Sequence, residues 1–304
     1  MKRKLNDCLW LVLKGMGMGA ADVVPGVSGG TIAFIAGIYD ELIDSIKSVN
    51  LTALRLLARG RVAEFWRHVN GTFLLSILTG IGISVFSLAK IITWLLVEQP
   101  VLVWSFFFGL VLASTWSVAR SIKGWDWKTV AAFVCGTAAA WFITAATPAE
   151  TPSNLPFVFV CGAIAICAMI LPGISGSFIL VLLGKYFYIM EAVKTLDLVV
   201  LGVFIVGASV GITTFSRLLS YALKHVRNLT LAVLSGFMLG SLNKVWPWKV
   251  TVATYTDSHG VLKPLVEENI LPDRSVPEAV VLMLVGFFLV YGLERLSARR
   301  SVRG

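Results

Sequence analysis

The chain has 304 residues, of which 57% are apolar and only 14% charged, and its mean hydropathy is +0.83. A soluble domain carries about 25% charged residues, so a globule of this composition could not cover its own surface; the numbers argue against a water-soluble enzyme and exclude a disordered chain. The net charge of +9 does not indicate nucleic acid, because the basic residues form short clusters between long apolar stretches, the pattern of a multi-pass membrane protein.

The chain opens on Met1-Lys-Arg-Lys4 and an apolar run, Leu9 to Leu13, cut short by Lys14 and followed by glycines instead of a cleavage site. It is read as part of the membrane domain and not as a signal peptide. The first apolar stretch, 8–43, is interrupted at Val23-Val-Pro-Gly-Val-Ser-Gly-Gly30. After it, Leu51, Leu54, Leu57, Val62, Phe65 and Val69 alternate with arginines at helical spacing, which predicts an amphipathic helix on the inner leaflet within 48–70. Six segments are long enough to cross ~30 Å of hydrocarbon: 71–97, 100–119, 128–147, 198–223, 229–246 and 277–295. A second interrupted stretch, 157–190, breaks at Ile170-Leu-Pro-Gly-Ile-Ser-Gly-Ser177, and 247–276 forms a loop too short to be a domain.

The two interruptions begin an internal repeat. A shift of 147 positions pairs Pro25, Gly26, Ser28, Gly29, Ile32, Gly37, Tyr39 and Lys47 with Pro172, Gly173, Ser175, Gly176, Ile179, Gly184, Tyr186 and Lys194. The match continues in Gly82, Ile83, Phe86 and Ser87 against Gly211, Ile212, Phe215 and Ser216. The expected architecture is therefore an all-α polytopic membrane protein of two repeats, 1–150 and 151–304, each a re-entrant broken helix followed by three spans. Lysine and arginine are dense in the N-terminal tail and in 44–70, 120–128 and the last tail, but absent from 98–100 and 148–156. That distribution puts both termini in the cytoplasm and inverts one half relative to the other.

Pro-Gly-x-Ser-Gly ends one half-helix and starts another, leaving N–H groups unpaired at the new N-terminus, where an anion is favoured. Ser28, Gly29 and Gly30 in the first half, and Ser175, Gly176 and Ser177 in the second, are the candidate binding residues. Close helix packing by small residues is the competing reading; two copies at equivalent positions favour the site. Asp22 precedes the first break, and its repeat partner is Met169. It is a candidate for a coupling proton or cation, or for a helix cap. Lys14 and Arg217 are the candidate cations for an anionic head group, with Lys14 also able to reach the interface. The cysteines form no CxxC pair, the histidines fall in loops, and no GxxxxGK[ST] occurs. No cofactor, metal site or ATP-driven step is expected.

Gly17-Met-Gly-Ala-Ala-Asp-Val-Val-Pro-Gly-Val-Ser-Gly-Gly-Thr31, Gly37-Ile-Tyr39 and Leu171-Pro-Gly-Ile-Ser-Gly-Ser177 resemble a bacterial membrane family of undecaprenyl-phosphate translocases, nearly end to end. The resemblance implies a transporter in the bacterial cytoplasmic membrane that flips the C55 lipid carrier to the cytoplasmic leaflet for envelope synthesis. Its partners would be undecaprenyl phosphate and membrane lipids, with no nucleic acid; a homodimer is compatible with it. Undecaprenyl-diphosphate phosphatases form the main alternative, an ion or anion channel another. The phosphatase motif continues with an arginine after the serine, whereas Ser28 and Ser175 are both followed by glycine, and no glutamate pair lies in an apolar segment.

Overall fold

The computed structural model describes residues 5–24, 27–148, 151–256 and 262–301; Pro25, Gly26 and Ser258 lie outside them. The first half runs α1 (Leu5–Val23), α2 (Gly29–Ile35), α3 (Tyr39–Ser48), α4 (Leu51–Ala58), α5 (Val62–His68), α6 (Gly71–Glu98), α7 (Pro100–Arg120) and α8 (Trp127–Ala145). The second runs α9 (Leu155–Ile170), α10 (Gly176–Leu182), α11 (Tyr186–Thr195), α12 (Leu198–His225), α13 (Arg227–Ser241), β1 (Lys249–Thr256), β2 (Leu262–Asn269) and α14 (Val276–Ser301). Local chemistry sets several starts: Asn50, Asp126, Asn154 and Asp197 each accept a hydrogen bond from the first turn of α4, α8, α9 and α12.

Among the described residues, α6, α7, α8 and α12 are long and apolar enough to cross a membrane, and α10 and α11 form a bent pair at 109°. α9 and the apolar part of α14 are shorter. The segment expected to span 229–246 is helical only as far as Ser241, 15 residues, and then turns. Large apolar side chains such as Phe86, Trp94, Phe142, Val206 and Phe288 stand exposed on these helices, as a lipid-facing surface requires.

Two expectations are corrected. The chain is mostly helical, as expected of an α-helical membrane protein, but the segment expected as a loop, 247–276, folds in part as an antiparallel hairpin, with Lys249 opposite Asn269 and Thr256 opposite Leu262. Its first strand is rich in Val, Thr and Tyr, residues that suit a pleated ribbon. The amphipathic segment is two short helices, not one, because Gly60 takes φ +68° between them. Leu51, Leu54, Leu57, Val62 and Trp66 remain exposed along it, an apolar face that protein does not cover.

Close backbone packing joins the helices in pairs. A β-carbon on Gly15, Gly19 or Gly80 would lie under 3 Å from a backbone oxygen across the α1–α6 contact, and Gly162, Gly207 and Gly211 do the same between α9 and α12. Gly136, Gly236 and Gly240 bring α8 onto α13, and Gly109 and Gly286 bring α7 onto α14. Small residues at these contacts let dispersion act between helices where no hydrophobic drive exists in lipid. Pairs α1–α6 and α9–α12 lie within one half, whereas α7–α14 and α8–α13 join the two.

The loops gather at two ends. At one, Asp44 accepts from Lys224 at 3.0 Å and from Ser220 at 2.7 Å, Arg227 pairs with Asp40 at 2.9 Å, and Asn228 donates to the Lys123 carbonyl. At the other, Lys185, 4% exposed, donates to the Thr151 carbonyl and Ser153. There too Asn243 donates to Thr144, and Trp248 of the hairpin packs on Val101 and Ala279.

Candidate functional site at the two helix breaks

α1 carries the first break to the middle of the fold. Gly19 lies against Ile81 and Ser84, half-way along α6, and the chain leaves helical geometry within the next turn. There the two interrupted segments touch. Ser28 Oγ donates to the Met169 carbonyl at 3.3 Å, and Tyr39 Oη donates to the Ile170 carbonyl at 3.2 Å. The Gly173 N–H donates to Thr31 Oγ1 at 3.1 Å. Side chains of the first half thus satisfy carbonyls left open at the C-terminus of α9. A β-carbon on Gly30 would lie 2.8 Å from the Ile170 oxygen, so the contact requires glycine there.

The ends of α2 and α10 are treated differently. The Gly29 N–H donates to Asp22 Oδ1 at 2.6 Å, and the Gly30 N–H to Ser28 Oγ at 3.1 Å. At the far end of α2, Lys14 Nζ donates to the Ala36 carbonyl at 2.6 Å. Asp22 and Lys14 are eight residues apart on α1, about 12 Å, and seven-residue α2 is about 10 Å long. α1 therefore places a carboxylate at the positive end of α2 and an ammonium at its negative end. The expected open amides at this break are closed by the protein's own Asp22 and Ser28.

The second break has no such carboxylate. Met169 stands where the repeat places Asp22, and Cys161 where it places Lys14. Ser175 accepts from the Phe178 N–H at 3.2 Å and lies 3.3 Å from Ser177 Oγ. Among the described residues the Gly176 and Ser177 N–H groups have no hydrogen-bond partner, and Ser177 is exposed. Two amides and two hydroxyls thus lie together at the start of α10, where Ser177 is exposed and Ser175 is buried.

The remaining expected residues are distributed as follows. Arg217 is exposed on α12, off the buried stripe of Gly207, Gly211, Ser216, Leu219 and Ser220, so burial does not impose the partner its depth in the span suggested. Lys14 serves α2. Thr31, Tyr39 and the Met169 and Ile170 carbonyls were not singled out as site groups from sequence, although Tyr39 is one of the repeat identities; backbone acceptors leave no trace in a side-chain pattern. Ser84 Oγ, buried beside Gly19 with no hydrogen-bond partner among the described residues, carried no sequence signal either.

A family model described as undecaprenyl phosphate translocase-like matches residues 18–263, which span both breaks. The chain belongs to this family. It is 45% identical over 308 residues to a polyprenyl-phosphate transporter of Vibrio cholerae, covering 98% of this chain and all of that one. It is 31% identical to a polyprenyl-phosphate transporter of Staphylococcus aureus over 257 residues, 78% of this chain and 86% of that one. No solved structure matches it. In family terms, the paired breaks fall inside the matched region, whereas the last helix lies beyond it.

Proposed function

We propose that this membrane protein transports a polyprenyl phosphate, undecaprenyl phosphate in the cell, across the bacterial cytoplasmic membrane and returns it to the cytoplasmic leaflet for envelope synthesis. The observation that carries the reading is the second break. Gly176, Ser177 and Ser175 present donors where Asp22 fills the equivalent position in the first half. A carboxylate held at one break identifies the kind of group the other can hold: a compact oxyanion. A phosphate leaving the interface loses its hydration and needs several replacement donors at once; charge-assisted hydrogen bonds are roughly twice as strong as neutral ones. Ser28, Gly29 and Gly30 are buried and already engaged with Met169, Asp22 and Ser28, so the donors for the phosphate come from the second break; only the head group must be enclosed, since the tail can stay in lipid. Asp22 exchanges its hold on Gly29 for a proton or cation during the cycle. No bond in the substrate is broken on this reading, so purified protein should release no phosphate from undecaprenyl diphosphate.

Binding of a short-chain polyprenyl phosphate tests this. Ser175→Ala should weaken it by about 1.5 kcal/mol, roughly tenfold, the loss of one hydrogen bond to a charged group. Ser28→Ala, whose hydroxyl is already engaged, should change affinity far less. Equal affinities in wild type and both variants would move the phosphate away from the second break.

We also propose inverted halves with both termini cytoplasmic. Two observations support it: α1 runs alongside α6 and α9 alongside α12, while the start of α6 and the end of α12 both meet α3. Cysteines at Ser153 and Ser258 should react with an impermeant thiol reagent from outside the cell, and cysteines at Ser48 and Ser301 should not. Outside labelling at position 48 would mean that the first broken element crosses once, and the inverted arrangement would fail.

A further inference from the structure

At the end that holds the hairpin, a cavity of about 380 Å³ opens between α10, the ends of α8 and α13 with the residues that follow them, and β1–β2. One wall is apolar, made by Phe178 and Leu182 of α10; the other carries Asn243, Lys244, Lys249 and Glu267. Glu267 Oε2 lies 3.4 Å from Lys244 Nζ and 3.6 Å from Lys249 Nζ, so two ammonium groups share one carboxylate. The Lys249 side chain is only 6% exposed. Its Nζ donates to the Lys244 carbonyl at 2.7 Å and sits 3.7 Å from the centre of the Trp104 ring. Burial pulls its pKa down to about 7, Glu267 pulling it up and Lys244 down. The cavity lining holds two lysines and two glutamates, but Glu268 is exposed at the rim, so inside it Lys244 and Lys249 face Glu267 alone, a costly arrangement for groups this buried.

The cavity adjoins the second break. Phe178 follows Gly176 by two residues, and Lys244 Nζ lies 5.2 Å from the Phe178 ring. On α13, Ser241 Oγ is 2.6 Å from where a β-carbon on Gly173 would stand, and Asn243 and Lys244 follow it directly. The cavity thus reaches Phe178, the residue after Ser177 in the chain, although Ser175, Gly176 and Ser177 do not line it.

The geometry points to a docking chamber for the phosphate monoester of an amphiphile: Lys244 and Lys249 receive the phosphate while Phe178 and Leu182 take the first apolar units of its tail. The inference rests on the transport reading above and assigns the place where the lipid waits before it reaches the break. The volume falls in the range of small-ligand sites, about 300–1,000 Å³, enough for the head group and the first isoprene units. Glu267 holds the lysines together when the chamber contains no anion and repels an arriving phosphate. Binding should therefore be loose enough to allow onward transfer.

The test uses the full chain in detergent with a cysteine at Glu268, an exposed residue on the cavity rim. Its rate of alkylation is read by peptide mass, so that the native thiols are scored separately. Geranyl phosphate should protect this cysteine; geraniol, which has the same tail and no charge, should not. Lys244→Gln should raise the half-protecting concentration about tenfold, Lys244→Arg should leave protection in place, and Glu267→Gln should lower that concentration. Protection by geraniol equal to that by geranyl phosphate, or an unchanged response in Lys244→Gln, would overturn the assignment. Inorganic phosphate protecting as well as geranyl phosphate would make free phosphate the ligand and overturn the lipid assignment. The two readings fail separately. Protection in a protein that transports no lipid keeps the chamber and removes the transport reading; transport with an unprotected cysteine does the reverse.

Discussion

Asp22→Ala should lower the stability of the purified protein by about 1.5–3 kcal/mol, the usual cost of losing a hydrogen bond to a charged group, and should stop transport. The carboxylate holds the Gly29 N–H at 2.6 Å, and Lys14 holds the opposite end of the same short helix. A helix of seven residues is too short to persist alone, so α2 depends on these two anchors and on its buried face. Asp22→Asn keeps an acceptor but loses the charge and should fall between wild type and the alanine variant. Thermal unfolding in detergent, followed alongside uptake into proteoliposomes, separates the two proposed roles. Asp22→Asn with near-normal stability and no transport would mark the ion-coupling role; parallel losses would mark the cap. Wild-type behaviour in both assays would remove Asp22 from the mechanism altogether.

Gly30→Val should be the most damaging single change at the centre of the fold. A β-carbon there would lie 2.8 Å from the Ile170 oxygen and 3.1 Å from Ser28 Oγ, and the first of these is backbone that cannot swing aside. The two breaks would have to separate, taking with them the Ser28–Met169, Tyr39–Ile170 and Gly173–Thr31 hydrogen bonds. Overpacking alone costs about 1–3 kcal/mol, and the lost hydrogen bonds add to it, so poor folding is expected at growth temperature. Gly82→Val is the control. Gly82 also lies in the repeat, but a β-carbon there meets nothing within 4 Å, so the variant should fold and transport normally. Comparable yields and melting temperatures for Gly30→Val and Gly82→Val would show that the breaks do not need their close contact.

The sequence by itself determined the membrane class, both interruptions and the positions of the long helices. Each of these follows from one-dimensional information. About twenty apolar residues cross a bilayer, a Pro-Gly pair inside an apolar run ends a helix, and the repeat is a comparison of the chain with itself. It also singled out Asp22 as asymmetric, because Met169 stands at the matching position. What Asp22 touches was decided by tertiary structure. Whether an amide at a helix start stays open depends on which side chain folding brings to it, and α1 brings a carboxylate to Gly29 while α9 brings a methionine to the other half. The same holds for Arg217, which sequence depth marked as needing a partner and which helix rotation leaves exposed. The hairpin and its Lys244–Lys249–Glu267 cluster were the least legible part. Their strands are short and their pairing is non-local, and the burial of Lys249 comes from Trp104, 145 positions earlier in the chain, which only the packed structure brings over its ammonium group.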